Sequence, residues 1–404
     1  MAAYKGIEWL RNKLQVKRLR VIERYQFYEM KHIAKDFKIS TPPDLERWMG
    51  VLGWCAKAVD CLADRLSFAE FADDFFDLTG IFNQNNRDVL IDSAILGALI
   101  SSCDFIYIAT GPDGFPTLQV IDGRHATGII DPTTNMLKEG YAVLEFDDND
   151  MPIVEAYFTP GHTVIYEQGK PPQDVPNVAP YPLLVPMIHR PDAVRPFGHS
   201  RISRACMSIV DSAVRTVKRS EIAAEFYSYP QKYILGMDEN AEAMDKWKAS
   251  MSSMLRIDKD EDGDHPVVGQ FTTVSMTPHT EQLRMFAGLF AGETGLTLDD
   301  LGFPSQNPSS AEAIKASHDS LRLSARAAQA SFGVGLLNAG YLAACIRDDY
   351  PYLRRQLYET TPKWRPIFEP DAAMMSGIGD AVQKIQTAFP DYFTEEKLRE
   401  LTGI

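Results

Sequence analysis

Trp54, Cys55, Ala58, Val59, Leu62 and Leu66 recur every three or four residues, the spacing of one apolar helical face. They fall inside a helix predicted over Leu45–Phe68, with Asp44 as N-cap after the stop signal Thr41-Pro-Pro. A first helix is predicted over Glu8–Lys38, dense in aromatic and basic residues, and a third over Asn83–Ile100. Beyond Pro191 the text turns helical again. Ser200–Phe226 predicts a long helix, and Ile209, Val210, Ala213, Val214 and Val217 share one side of it. A small α/β excursion (Gln231–Met276) follows, then a helix over Pro278–Glu293. The Pro/Gly/Asn loop Leu301–Pro308 leads into a very long helix, Ser309–Ile346, spanning more than about 50 Å at roughly 1.5 Å per residue. Gly333, Gly335 and Gly340 interrupt it, at sites of close backbone approach or bending. The tail is Pro-rich from Thr360 and ends in two short helices, near 378–388 and 394–401.

Between Cys103 and Val185 the period changes to that of short strands. Asp104–Thr110 and Thr117–Ile121 flank the turn Gly111-Pro-Asp-Gly114. Ala142–Phe146 and Pro152–Phe158 flank Asp147–Asp150, and His162–Tyr166 adds a fifth strand. Such a meander predicts one buried and one wet face. Lys170–Pro182 carries five prolines and reads as a surface loop. The fold class is α+β, mainly α.

Charge then narrows the function. Fifty-five acidic against 41 basic residues leave a net charge of −14, which argues against bulk-charge binding of nucleic acid. It leaves room for a protein that surrounds DNA without gripping it. The five cysteines (Cys55, Cys61, Cys103, Cys206, Cys345) form no CxxC and read as small buried hydrophobes in a reducing compartment. The opening residues lack the apolar core of a signal peptide, and the longest apolar stretches fall short of a bilayer span of about 20 residues. A soluble, intracellular protein without membrane partners is expected.

No catalytic signature emerges. There is no GxxxxGK[ST], so the chain is not a P-loop ATPase. Phe197-Gly-His-Ser-Arg201 lacks the second glycine of a nucleophile elbow, and Ser200 reads as a helix cap. His189, His199, His265, His279 and His318 have no metal-ligand spacing. Asp258, Asp260, Glu261, Asp262 and Asp264 imitate the first half of an EF-hand loop, but Gly269 stands where the bidentate Glu belongs and Pro266 interrupts the loop. The run reads instead as an exposed hairpin tip between Met254–Ile257 and Val267–Phe271. On Ser200–Phe226, Arg201, Arg204, Arg215, Lys218 and Arg219 fall within about a 100° arc. That face is either simply solvated or turned to acidic partners or DNA. No cofactor and no metal are expected.

The order helix, compact excursion, returning helix, Pro-rich loop, long helix resembles the portal proteins of tailed bacteriophages. Trp54–Leu66, Pro191–Ser200, Val210–Thr216, Ser228–Gly236 and the Gly/Pro loop carry the likeness. The resemblance implies a portal fold with wing, stem, clip and crown-directed long helix. Residues 1–198 would be the wing, 199–226 the first stem helix, 227–277 the clip and 278–295 the second stem helix. Residues 296–308 would be the tunnel loop, 309–349 the long helix and 350–404 a C-terminal wing or crown region. It also implies a ring of about twelve copies at one capsid vertex, assembled in the host cytoplasm, through which double-stranded DNA is packaged and ejected. Expected partners are the terminase large subunit, a head-completion adaptor, and the major capsid and scaffold proteins. Pro304, Ser305, Gln306, Asn307 and Pro308 would line the channel, and the Asp258–Asp264 turn would dock a partner. An intracellular enzyme with scattered site residues, or a capsid scaffold without a channel, are the alternatives in other classes.

Overall fold

A buried carboxylate anchors the first helix, α1 (Ile7–Tyr28). Lys5 N and Gly6 N donate to Glu139 at 2.9 and 3.1 Å, and Tyr157 Oη donates to it at 2.8 Å. The anion thus sits where the free N–H groups and positive end of a helix favour it. One turn later Arg11 pairs with Glu155, which also accepts from Tyr141 Oη. Leu10 and Leu14 pack on Tyr141 and Val143 beneath. The helix ends at Tyr28, ten residues short of the predicted boundary.

The structure, a computed structural model, describes residues 4–35, 50–149, 151–228, 232–235, 267–270, 275–304, 317–368, 372–389, 392–394 and 398. They fall into two compact units, one comprising 1–32, 53–207 and 293–404, the other 33–52 and 208–292.

In the first unit α2 (Trp54–Ala63) buries Trp54, Cys55, Ala58, Val59 and Leu62 of the face read from spacing, and Cys61 besides. The single helix predicted from Asn83 is two helices, α3 (Leu78–Gln84) and α4 (Arg87–Ser101). Asn86 at φ 52° breaks the chain between them, a left-handed conformation that Asn tolerates better than most side chains. Asn85 fixes the break, with Nδ2 donating to Ile81 O and Pro116 O and Oδ1 accepting from Leu118 N.

Two antiparallel sheets replace the single meander. One has the order β3-β2-β9, from β2 (Cys103–Thr110), β3 (Pro116–Ile121) and β9 (Leu184–Ile188). The other runs in sequence order through β4 (Ala126–Ile130), β5 (Leu137–Phe146), β6 (Pro152–Thr159), β7 (His162–Glu167) and β8 (Gln173–Pro176). The predicted one-face burial fails for β2, because both α4 and a late helix, α7 (Asp319–Arg347), pack on it. Part of the proline-rich loop is β8, an exposed edge strand, where the missing N–H of Pro176 is tolerated. Pro186 hid β9 from the sequence pattern in the same way, at the edge beside β2.

That late helix, α7 (Asp319–Arg347), is the centre of the first unit. Its described span is about 43 Å at 1.5 Å per residue. The three glycines do not interrupt it; they let neighbours touch its backbone. A Cβ would meet Pro362 Cγ at 2.7 Å from Gly333, Met187 Sδ at 2.6 Å from Gly335 and Leu78 Cδ1 at 3.0 Å from Gly340. By length and composition α7 is apolar enough to cross a membrane, contrary to the sequence estimate, but 78% of its most apolar window is buried inside the protein. It is a core helix.

The tail returns to the beginning. β12 (Thr361–Trp364) pairs antiparallel with β1 (Phe68–Ala72), Phe68 opposite Trp364, and the two rings meet edge-on at 5.7 Å. The helix predicted to reach Phe68 ends at Ala63, and Phe68 instead opens β1. α8 (Ala372–Ala388) follows, six residues earlier than expected.

The second unit holds most of α5 (Arg204–Ser228) and α6 (Thr277–Thr294), with β10 (Lys232–Leu235) paired antiparallel to β11 (Val267–Gln270). Lys232 lies opposite Gln270. The partner of Val267–Gln270 is therefore this strand, while the predicted partner Met254–Ile257 lies outside the described residues.

Candidate functional site

α5 starts four residues later than predicted, and the serine that caps it is Ser203. Its Oγ accepts from Cys206 N at 3.2 Å, as an N-cap does. Ser200 instead donates its hydroxyl to Ile100 O at 2.6 Å and accepts from Ile202 N, tying the incoming chain to the end of α4.

The predicted basic face is divided. Arg201 stands before the helix and is buried, its guanidinium donating to Ala58 O at 3.2 Å and to Thr294 O. Burial pushes its pKa down, and the two carbonyls compensate the desolvated cation. It is a structural pin, removed from the arc because the helix does not extend back to it. Arg204 is exposed at the first turn. Arg215 is half-buried and donates to Lys35 O at 3.2 Å and Ser212 Oγ at 2.8 Å. Lys218 is buried and Arg219 half-buried. The opposite side of α5 buries Val210, Ala213 and Val214, as its spacing predicted. The Thr216 hydroxyl lies 3.2 Å from Gln282 Oε1 of α6, linking the two helices.

After α6 the loop is better ordered by hydrogen bonds than its composition suggested. Gly295, at φ 69°, turns the chain where a Cβ would meet Ser320 Oγ at 2.6 Å. Asp300 Oδ2 accepts from Thr297 N and Oγ1 at 2.9 and 2.8 Å, and Asp300 N returns a bond to Thr297 Oγ1. This closes a short 3₁₀ turn, Asp299–Leu301, with Leu301 buried. Gly302 at φ 89° ends it and Pro304 is exposed. Ser305, Gln306, Asn307 and Pro308 lie outside the described residues, as do Asp258, Asp260, Glu261, Asp262 and Asp264 and the predicted start of the long helix at Ser309.

Elsewhere in the first unit a shallow groove of about 440 Å³ runs between Asn135, Arg190, Pro191 and the small residues Ala327, Ala330 and Val334 of α7. His189 beside it is buried, and burial pushes its pKa down to about 4. Its Nδ1 lies 2.7 Å from His199 O, so the neutral ring donates there and is structural. Among the described residues no three His, Cys, Asp or Glu side chains gather as a metal site. All five cysteines are buried and unpaired with one another.

No family model matches the chain. It does align with the portal protein of Mycobacterium phage L5, 23% identical over 318 residues, covering 73% of this chain and 65% of that one. The alignment with the portal protein of Mycobacterium phage D29 is 24% identical over 331 residues, 76% of this chain and 67% of that one. The chain is thus similar in sequence to the portal proteins of two mycobacteriophages. It spans about two thirds of the length of these curated relatives. Among solved structures, the neck of the empty gene transfer agent particle computed with C6 symmetry is similar at TM-score 0.49, 14% identity, 95% of this chain and 98% of that one. The virion of the native particle gives TM-score 0.47 at 12% identity, over 95% and 99%. The chain is mixed α and β, with helices predominant among the described residues.

Proposed function

We propose that this chain is the subunit of a ring at one capsid vertex, the passage for double-stranded DNA into and out of a phage head. The observation that carries the reading is the alignment with two portal proteins over about three quarters of the chain. In this reading residues 1–198 form the wing, 199–226 and 278–295 the stem, and 227–277 the clip. Residues 296–308 form the tunnel loop and 309–349 the long helix, with 350–404 completing the wing or a small crown. The role is structural rather than enzymatic. The terminase large subunit and a head-completion adaptor dock on the clip, through the acidic turn Asp258–Asp264. Major capsid and scaffold proteins surround the wing, and the protein resides in the virion after assembly in the host cytoplasm. Pro304, Ser305, Gln306, Asn307 and Pro308 face the DNA.

The acidic total supports a channel that does not grip its cargo, since each lasting phosphate contact needs a Lys or Arg. Native mass spectrometry of the purified protein should give a closed ring of about twelve copies. A stable monomer at micromolar concentration would overturn the reading.

A further inference from the structure

Two exposed surfaces of the first unit have complementary character and lie on different elements. The first is the outer face of α1. This helix has six basic residues against two acidic ones in a chain of net charge −14. Leu10, Leu14, Val21 and Phe27 are buried on its inner side, where it packs on α2, α4, β4 and β5. Its outer side exposes Val16 (70%) and Leu19 (72%), flanked by exposed Lys17 and Arg20. Neither base has a carboxylate partner among the described residues.

The second surface gathers where α7 ends and the chain turns into α3. Phe75 (77%), Tyr350, Leu353 and Tyr358 (77%) are exposed there. The Phe76 ring meets Tyr352 at 5.0 Å, Tyr352 meets Tyr350 at 4.9 Å, and Thr360 Oγ1 donates to Asp73 O at 2.9 Å, so the two segments form one patch. Exposed Asp73, Asp77, Asp348, Asp349 and Glu359 make it acidic. Of the nearby bases, Arg347 is held by Asp348 and Arg354 by Asn338 Oδ1, which leaves Arg355 exposed.

We infer that the outer face of α1 in one copy docks on the aromatic acidic patch at the end of α7 in the next copy. Two different patches on one chain, each fitting the other, generate a head-to-tail contact, and such a contact closes into a ring when its rotation allows. Val16 and Leu19 lie against the aromatic rings, while Lys17 and Arg20 meet the carboxylates. The opposite charges steer the pairing and disfavour α1 meeting α1, where bases would face bases. This rests on the ring reading above and specifies which surfaces build it.

Cysteine cross-linking of the full chain tests it, because the five native cysteines are buried. A mixture of Leu19→Cys and Tyr358→Cys chains treated with a short bis-maleimide should give cross-linked dimers, and neither variant alone should. A chain carrying both should give a ladder of multiples. Dimers from Leu19→Cys alone would mean that α1 meets its own copy, and would overturn the pairing. So would a mixture that stays uncross-linked while native mass spectrometry still finds rings. A wild-type monomer would instead overturn the ring reading itself. As a second route, Lys17→Glu with Arg20→Glu, or Asp349→Lys with Glu359→Lys, should lower the ring fraction roughly tenfold at low salt. All four changes in one chain should restore it. If the fourfold variant shows no restoration, or the twofold variants no loss, the pairing is wrong.

Discussion

Asp104 is buried at the start of β2, accepting from Ser101 Oγ at 2.7 Å and Gly123 N at 3.0 Å. Burial raises its pKa to about 7, against the counteracting hydrogen bonds. An unfolded Asp titrates near 4. Between about pH 4 and 7 the folded chain therefore keeps a proton that the unfolded chain has shed, and stability falls as pH rises through that window. Asp104→Asn should raise the melting temperature at pH 8 and change it little at pH 5, compared in paired thermal melts. Arg201 gives the opposite case, a buried cation whose carbonyl partners lose their donor on truncation. Arg201→Ala should cost about 2–4 kcal/mol in denaturant unfolding, and the conservative Arg201→Lys less. Neither residue was legible in the sequence as what it is. Arg201 fitted a helical arc by arithmetic, and only the late start at Ser203 removes it. Asp104 stood in the sequence only as the first residue of a predicted strand.

At the scale of elements, the sequence signal was strongest where one face alone decides the structure. Trp54–Leu62 on α2 and Val210–Val214 on α5 kept their spacing because each buries a single stripe. It was weakest where a partner distant in sequence decides. β9 contains Pro186, β8 contains Pro176, and β1 and β12 are too short to announce themselves. The glycines of α7 were noticed, but whether they bend a helix or admit a neighbour depends on Met187, Pro362 and Leu78. Because a Cβ at Gly335 would meet Met187 Sδ and Pro186 O at 2.6 and 3.4 Å, Gly335→Val should overpack the contact of α7 with β9. A loss of about 1–3 kcal/mol is expected in the same unfolding assay. The equivalent change at Gly377 on α8, where nothing lies within 4 Å, should be far milder.

For the whole molecule, the order of long helices around a compact excursion was readable, and it pointed to the portal proteins with which the chain then aligns at 23–24% identity. The site was less so, since the polar tip Ser305-Gln-Asn307 and the acidic turn fall outside the described residues. The proposed channel offers a direct test. Gln306→Arg with Asn307→Arg adds two positive charges per subunit to the loop, repeated around the ring. DNA should then be held in a salt-dependent way, and packaging measured in vitro should slow or stall. Unchanged packaging would remove this loop from the bore.

The pairing of β1 with β12 also sets a timetable. Phe68 leaves the ribosome long before Trp364, its partner across the strand pair. At about 5–20 residues per second, synthesis of the intervening chain takes roughly 15–60 seconds. During that interval β1 has an open edge, and the sheet of β2, β3 and β9 is covered by α4 but still lacks its second covering helix, because α7 is also made late. A nascent chain is thus exposed to chaperones and to mispairing for most of its translation. A fragment truncated before Thr361 cannot close its own edge, so quality control of the C-terminus is built into the fold.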